Sequence, residues 1–166
     1  EKEYAQLLSG SRAIEAIAGK LRKKYNREID IVQDASQEAD FLDLIKPNPQ
    51  LVEMLNRIRH QKGIVLDLLT GSEYDFAMQK LERIGVSRMN FYRVLDAAYG
   101  KINGDMYREW IRLRRVSPSK MLYVGDNKKQ DVDVPKSLGI KTCYLGEYAA
   151  ADFQIKDILE LERILS

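Results

Sequence analysis

Residues 121–132 read MLYVGDNKKQDV and combine the pattern of a buried strand with two acids. The apolar run Met121–Val124 predicts a strand, and Gly125 predicts a turn directly after it. Asp126 and Asp131 follow in the spacing G-D-x-x-x-x-D, one at the strand end and one where the next helix begins. Carboxylate oxygens are ligands that Mg²⁺ prefers. The stretch therefore predicts a magnesium site, formed by Asp126 and Asp131, at the carboxyl end of a strand.

From Pro49 onward, helix signals and strand signals alternate along the chain. Asn48 and Pro49 form a helix start, since asparagine caps helices and proline suits their first turn. Strands that alternate with helices imply a parallel sheet with helices on both faces. The predicted fold class is therefore α/β, a Rossmann-like three-layer sandwich with a parallel sheet. The predicted helices cover about 49–60, 73–84, 104–115 and 156–165, with one more ending near 138, and the predicted strands cover 64–69, 92–95, 121–124 and 141–145.

Composition limits the class of protein. The 166 residues are 45% hydrophobic and 31% charged, which is typical of one soluble globular domain, or of one domain with a small appendage. A net charge of +2 gives no reason to expect nucleic acid as a partner, and no apolar run has the length of a membrane span. The single cysteine, Cys143, excludes an internal disulfide framework. We therefore expect the cytoplasm or another reducing intracellular compartment.

Further polar residues fall where predicted strands end. Thr70 follows the strand at 64–69, and the backbone N–H groups of Gly71 and Ser72 begin the next helix, a place where anions bind. Lys101 lies in the loop after the following strand, where its ammonium group can offset the charge of a phosphoryl group. Ligands of parallel α/β sheets bind beyond the carboxyl ends of the strands. Together with the two acids, these residues predict a phosphate-and-magnesium site.

Each of these positions also has a plainer interpretation. Thr70 can simply cap the following helix, and Lys101 can be an exposed loop lysine. Asp131 can cap its own helix, while Asp126 accepts hydrogen bonds within the turn. The order of the four residues along the chain, each at a strand end, favours the phosphate site over coincidence.

These residues resemble the motifs of the haloacid dehalogenase (HAD) superfamily of phosphotransferases. Thr70 in VLDLLTGSE resembles the second motif, Lys101 in YGKINGDMY the third, and Asp126 with Asp131 in YVGDNKKQDV the fourth. In the third motif, Ile102 stands where the family often has proline. The resemblance implies a phosphohydrolase of a small phosphorylated metabolite, with Mg²⁺ bound partly by Asp126 and supported by Asp131. Thr70 would bind the transferring phosphoryl oxygen, and Lys101 would offset its charge.

The resemblance covers about residues 45–166 and extends to one branch of the superfamily. The segment DLIKPNPQLVEML, residues 43–55, resembles the pyrimidine-nucleotidase-like branch, in which a helical cap precedes such a segment. By this resemblance, residues 1–45 form a small helical cap-like segment and residues 46–166 form the α/β core. The substrate would then be nucleotide-like.

The first motif of the superfamily, a strand that ends in D-x-D and carries the nucleophilic aspartate, is not found in the sequence. Asp67 in IVLDLLTG resembles this motif superficially and Asp34 in IDIVQDAS follows a possible strand, but Leu69 and Ser36 stand where the second acid belongs. In the family this strand lies between those that carry the second and fourth motifs. Its loss would leave two rows of unpaired backbone groups inside the protein, which is costly.

Three explanations of this gap are open. The chain, which begins with Glu1, is part of something longer; a partner chain supplies the strand; or the protein is a shortened, inactive relative in which Ile29–Gln33 fills the gap. The leading prediction is a phosphohydrolase that works through a phospho-aspartate whose nucleophile lies elsewhere. The alternative is a catalytically inactive HAD-like module with a binding or scaffolding role. An unrelated flavodoxin-like binding domain is a third reading, and it predicts a continuous sheet without a magnesium site at Asp126.

Overall fold

The computed structural model describes residues 41–61 and 63–165. The chain divides into two units, Glu1–Leu44 and Ile45–Ser166. In the first unit the described part is one short helix, α1 (Phe41–Leu44). The cap-like segment predicted for residues 1–45, with the candidate strand Ile29–Gln33, lies outside the described residues apart from residues 41–45. It stays a prediction.

The second unit opens with helix α2 (Pro49–His60), whose bounds agree with the predicted ones. The Asn48 side chain accepts a hydrogen bond from the Leu51 N–H at 3.0 Å, which satisfies one of the free donors at the helix start. Pro49 occupies the first turn, where its missing N–H costs nothing. The apolar residues at helical spacing form one buried face, which consists of Met54, Leu55 and Ile58.

The rest of the second unit alternates strands and helices, as the sequence predicts. Between residues 63 and 165 the strands are β1 (Asp67–Leu69), β2 (Arg93–Leu95), β3 (Leu122–Gly125), β4 (Lys141–Leu145) and β5 (Phe153–Ile155). The α-helices in the same range are α3 (Tyr74–Ile84), α4 (Asp105–Arg114), α5 (Val134–Ser137) and α6 (Leu161–Leu165), and a π-helical turn (Lys128–Asp133) leads into α5.

Two parts of the predicted element pattern are corrected. Strand β5 lies in a stretch that the sequence analysis leaves without an element, because the exposed residues Phe153 and Gln154 mask the pattern of a buried strand. The closing helix begins at Leu161 rather than at residue 156. Before this helix lies a 3₁₀ turn (Ile158–Glu160), which begins with a reciprocal capping box between Asp157 and Glu160.

All strand pairs are parallel, but the strands form two sheets rather than the single sheet predicted. One sheet has the order β1-β2, with Leu68 opposite Val94, and the other has the order β3-β4-β5, with Val124 opposite Cys143. In the described part of the chain no strand lies between β1 and β3. This is where the family resemblance expects the first-motif strand. Among the described residues, no helix combines the length and apolar character needed to cross a lipid bilayer.

β1 and β3 each have an edge without a paired strand among the described residues, and side chains of both strands pack in the same apolar layers. Leu69 and Tyr123 belong to one buried cluster, which packs against α4. On the other face, Leu66 and Val124 pack against the cluster that contains the buried side of α2. The middle residues of β4, which has a neighbour on both sides, are fully buried, whereas Leu68 of β1 and Val124 of β3 are only partly buried. Side-chain packing therefore joins β1 and β3 without a described backbone ladder.

Candidate active site

The Asp131 carboxylate is the centre of the site. It is 5% exposed and accepts a hydrogen bond from Lys101 Nζ at 3.0 Å through Oδ1. Its other oxygen, Oδ2, accepts hydrogen bonds from the backbone N–H groups of Asp126 at 3.2 Å and Asn127 at 3.0 Å. The Lys101 side chain is 14% exposed, so water screens this ion pair much less than a surface pair. The predicted segments around Lys101 and around Asp126 are thus joined through the Asp131 carboxylate.

Gly125 allows this carboxylate to approach the end of β3. A Cβ atom at position 125 would lie 2.5 Å from three side-chain atoms of Asp131, a distance that real Cβ contacts essentially never show. The φ angle of Gly125 is not positive, so the requirement is space rather than backbone conformation. The glycine of the G-D-x-x-x-x-D pattern is therefore needed for the position of the second acid.

A π-helical turn delivers Asp131 to that position. Asn127 begins the turn, and its side chain accepts a hydrogen bond from the Gln130 N–H at 2.9 Å. Asp131 does not cap its helix, because Asn127 is the capping residue, and the Asp126 side chain accepts no hydrogen bond from the described residues. Pro135 lies in the first turn of α5, directly after the π-helical turn, where its missing N–H is tolerated. π-Helical turns are rare and occur often at functional sites.

Two buried tyrosines surround the Lys101–Asp131 pair, and sequence reasoning missed both. The Tyr107 hydroxyl donates to Gln130 O at 2.7 Å and lies 3.5 Å from Asp131 Oδ1. The Tyr123 ring lies beneath Lys101, with 5.2 Å between Nζ and the ring centroid. Burial raises the pKa of both phenols, and the charge of Asp131 raises it further for Tyr107, so both stay protonated at neutral pH. Their sequence signals are only those of core residues: Tyr107 stands three residues before Trp110 in DMYREW, and Tyr123 lies in the apolar run of MLYVG.

Thr70 lies directly after β1 but does not cap α3, whose N-cap residue is Glu73. The Thr70 hydroxyl oxygen accepts a hydrogen bond from the Ser72 N–H at 3.1 Å, so its own proton remains available for donation. Ser72 N–H is therefore already used, contrary to the prediction that it is free for an anion. The Gly71 N–H has no acceptor among the described residues, and the space beside Gly71 is open to 4 Å.

One contact links the Thr70 turn to the Asp131 site. The Tyr123 hydroxyl lies 3.5 Å from the carbonyl oxygen of Leu69, the residue before Thr70. This contact spans the gap between β1 and β3, and the same tyrosine carries the Lys101 ammonium over its ring. The structure thus brings Lys101, Asp126 and Asp131 together directly, and it connects Thr70 to them through Tyr123.

The fit of this site to Mg²⁺ depends on one free carboxylate. The Asp126 side chain is exposed at the carboxyl end of β3 and has no hydrogen-bond partner among the described residues. Asp131, in contrast, uses both oxygens within the protein. No group of three or more acidic, histidine or cysteine side chains capable of holding a metal occurs among the described residues. Proteins commonly bind Mg²⁺ through one or two carboxylates plus water and substrate phosphate, so Asp126 fits as one direct ligand of an incomplete set.

Asp67 has a structural role. It starts β1, far from the carboxyl end of the strand, and its side chain is fully buried. Arg114 forms a bidentate ion pair with it, and Trp110 Nε1 donates to its Oδ2 at 2.6 Å. The carboxylate therefore fastens α4 to the sheet. Its position and partners agree with the sequence analysis, which rejects Asp67 as the nucleophile.

The chain resembles known proteins in both sequence and fold. The sequence profile of the family described as haloacid dehalogenase-like hydrolase matches residues 1–145. No curated protein matches the chain. A HAD phosphatase from Thermococcus onnurineus is 25% identical, with a TM-score of 0.63, and the match covers 72% of this chain and 58% of that one. The chain thus spans less than two thirds of that relative.

Two further solved structures match nearly the whole chain in fold. One is described as a beta-phosphoglucomutase from Thermotoga maritima, with 20% identity, a TM-score of 0.72, and coverage of 99% of this chain and 82% of that one. The other is the HAD-hydrolase YfnB from Bacillus subtilis bound to magnesium, with 17% identity, a TM-score of 0.72, and coverage of 95% and 73%. Both likenesses concern the fold.

Proposed function

Because the chain belongs to the haloacid dehalogenase-like hydrolase family, we propose that it forms most of a Mg²⁺-dependent phosphohydrolase of small phosphorylated metabolites. The observation that carries the proposal is the 3.0 Å contact of Lys101 with Asp131 at the carboxyl end of β3. A cation held in place beside an exposed, unpaired carboxylate (Asp126) suits a phosphoryl group that gains charge in the transition state.

Each side chain has a role in this proposal. Lys101 offsets the charge on the transferring phosphoryl oxygens, and Asp131 holds Lys101 in position rather than contacting the substrate. Thr70 donates its hydroxyl proton to a phosphoryl oxygen, and Gly71 adds a backbone N–H. Asp126 contributes one Mg²⁺ ligand, and the metal neutralises phosphate charge when it is bound. Ser72, whose N–H is occupied by Thr70, supports the turn.

The nucleophile comes from outside residues 41–165 in this proposal. A phospho-aspartate needs a carboxylate at the carboxyl end of a strand close to both Thr70 and Lys101. In this proposal a strand parallel to β1 and β3 lies between them and ends beside both residues; its support is that β1 and β3 are each at the edge of a separate parallel sheet among the described residues. A partner chain is one source of that strand, and another segment of the same polypeptide is the other. The same carboxylate would complete the Mg²⁺ ligand set with Asp126.

Substrate and compartment extend the proposal further. The segment at residues 43–55 supports a nucleotide-like substrate, whereas the likeness to a beta-phosphoglucomutase supports a sugar phosphate. We also infer a reducing intracellular compartment, supported by Cys143, a buried free thiol.

The test is release of inorganic phosphate by the complete natural protein from a nucleoside monophosphate and from a sugar phosphate. We expect release that requires Mg²⁺ and is lost with EDTA. The substitution Lys101→Met should lower kcat by about 10² to 10³. Lys120→Met, at an exposed lysine that precedes β3 and so lies at the opposite end of that strand, is the matched control and should leave kcat unchanged. The proposal is wrong if the complete protein releases no phosphate from either class with Mg²⁺ present.

A second candidate is a binding or scaffolding module without activity. The observation that favours it is the split between the two described sheets, since a strand edge that is unpaired among residues 41–165 is a template for a strand of another chain. It predicts an inactive complete protein that forms a stable complex with a partner. Loss of that complex on introducing proline at Val124, which lies on the open edge of β3, would support it; an unchanged complex would count against it.

A further inference from the structure

Tyr123 occupies the point where the two halves of the candidate site meet. It is 7% exposed and packs edge-on against Tyr107, with 5.0 Å between ring centroids and 88° between ring planes. Trp110 packs against the same ring, with 6.3 Å between ring centroids and 75° between ring planes. Lys101 Nζ lies 5.2 Å from the centroid of the Tyr123 ring. An ammonium in this position is attracted by the negative face of the ring.

Tyr107 fixes the other partner of the same ion pair. It is fully buried, and its hydroxyl donates to Gln130 O at 2.7 Å, which fixes the turn that carries Asp131. A hydroxyl has one proton, so the 3.5 Å approach to Asp131 Oδ1 is the weaker of its two contacts. Tyr107 therefore holds the position of Asp131 chiefly through the backbone of the residue before it.

Lysine alone is a poorly fixed cation. Its four-carbon stem is flexible, and Lys101 has one described hydrogen-bond acceptor, Asp131 Oδ1, for three donors. We propose that Tyr107 and Tyr123 are positioning residues that hold the Lys101 ammonium and the Asp131 carboxylate in one geometry. Through its 3.5 Å contact with Leu69 O, Tyr123 also links this pair to the residue before Thr70. The catalytic consequence rests on the proposed function, but the geometric claim does not.

The plainer alternative is that both rings merely fill the core beside α4. In that case their substitution changes the free energy of unfolding and leaves the Lys101 ammonium as it was. A direct observation of that ammonium group distinguishes the positioning role from the core-filling role. A lysine held by an acceptor and a ring exchanges its ammonium protons slowly and gives a resolved signal in ¹⁵N NMR, whereas a freely solvated lysine does not.

The experiment records ¹⁵N spectra of the lysine ammonium groups of the purified chain. The Lys101 signal is identified by its absence from Lys101→Arg. We expect that Tyr123→Leu abolishes or shifts this signal, and that Tyr107→Phe, which keeps the ring and loses only the hydroxyl, shifts it as well. The matched control is Tyr92→Leu, which removes a tyrosine that is 67% exposed and whose ring lies 5.1 Å from the Arg93 guanidinium, and it should leave the Lys101 signal unchanged.

An unchanged Lys101 signal in the two buried-tyrosine variants, together with altered unfolding curves, would overturn the proposal. Should Tyr123→Leu fail to fold, the conservative Tyr107→Phe decides alone. In the complete enzyme we expect Tyr107→Phe to lower kcat by about 10-fold to 100-fold with KM nearly unchanged. If the complete protein is inactive but shows the NMR effects, the proposed function is refuted and the positioning role stands. If the complete protein is active but lacks the NMR effects, the positioning role is refuted and the proposed function stands.

Discussion

The Lys101–Asp131 pair can be tested by a double-mutant cycle with Lys101→Met and Asp131→Asn. At a separation of about 4 Å and an effective dielectric constant of about 20, two unit charges attract by about 4 kcal/mol. The cost of desolvating the two charges offsets much of that gain. This cost disappears in full only when both charges are removed. We therefore expect each single substitution to lower the free energy of unfolding by about 3 kcal/mol, because it leaves a poorly exposed polar partner unpaired. The double substitution should cost about 2 kcal/mol less than the sum of the two.

The assay is urea unfolding followed by circular dichroism, with the four free energies compared at one m-value. The matched control is the pair Arg108–Asp105, which has the same separation of 3.0 Å but side chains that are 57% and 59% exposed. Its coupling energy should not exceed about 0.5 kcal/mol. In high salt the control coupling should vanish and the Lys101–Asp131 coupling should persist. Equal coupling energies for the two pairs would refute the reasoning from burial.

Three other outcomes are expected. Gly125→Ala should destabilise the chain by about 1–3 kcal/mol in urea unfolding, since its Cβ lies 2.5 Å from a carboxylate side chain, whereas Gly71→Ala, in open space, should stay within about 0.5 kcal/mol. Burial raises the pKa of the Cys143 thiol from 9.0 to about 11, so above pH 9 the unfolded chain loses a proton that the folded chain keeps. The free energy of unfolding should then fall by about 1 kcal/mol between pH 9 and 10, and Cys143→Ala should remove that fall. Asp67→Asn should cost about 3–5 kcal/mol in the same unfolding assay because it leaves Arg114 with a neutral partner at a buried site.

The sequence predicts most of the α/β core because its signals are local. Asn48 and Pro49 define the start of α2, and the apolar run that ends at Gly125 defines β3. The parallel direction of the strands follows from their alternation with helices. Strand β5 escapes prediction because it borders only β4 and carries exposed residues, so its pattern is not that of a buried strand.

The sequence also predicts which residues form the site, but not how they bond. The spacing of Asp126 and Asp131 predicts a shared metal site, and the resemblance makes Asp131 the supporting acid. The spacing does not reveal that the π-helical turn directs the Asp131 carboxylate inward to Lys101 and leaves Asp126 exposed. A π-helical turn has no sequence signature of its own. The tyrosines at positions 107 and 123 are indistinguishable from core residues until their contacts are known, because their role depends on residues distant in sequence.

The split between β1 and β3 affects how far apart the two halves of the site can lie. A continuous ladder of backbone hydrogen bonds would fix the spacing of the strands at about 4.8 Å. Apolar packing is non-directional and allows packed layers to slide by small amounts without breaking a bond. Among the described residues, the 3.5 Å contact of Tyr123 with Leu69 O is the hydrogen bond that joins the two strands. Among the described residues, side chains rather than a backbone ladder thus set the separation of the Thr70 turn from Asp126, and a strand paired to both edges would fix it.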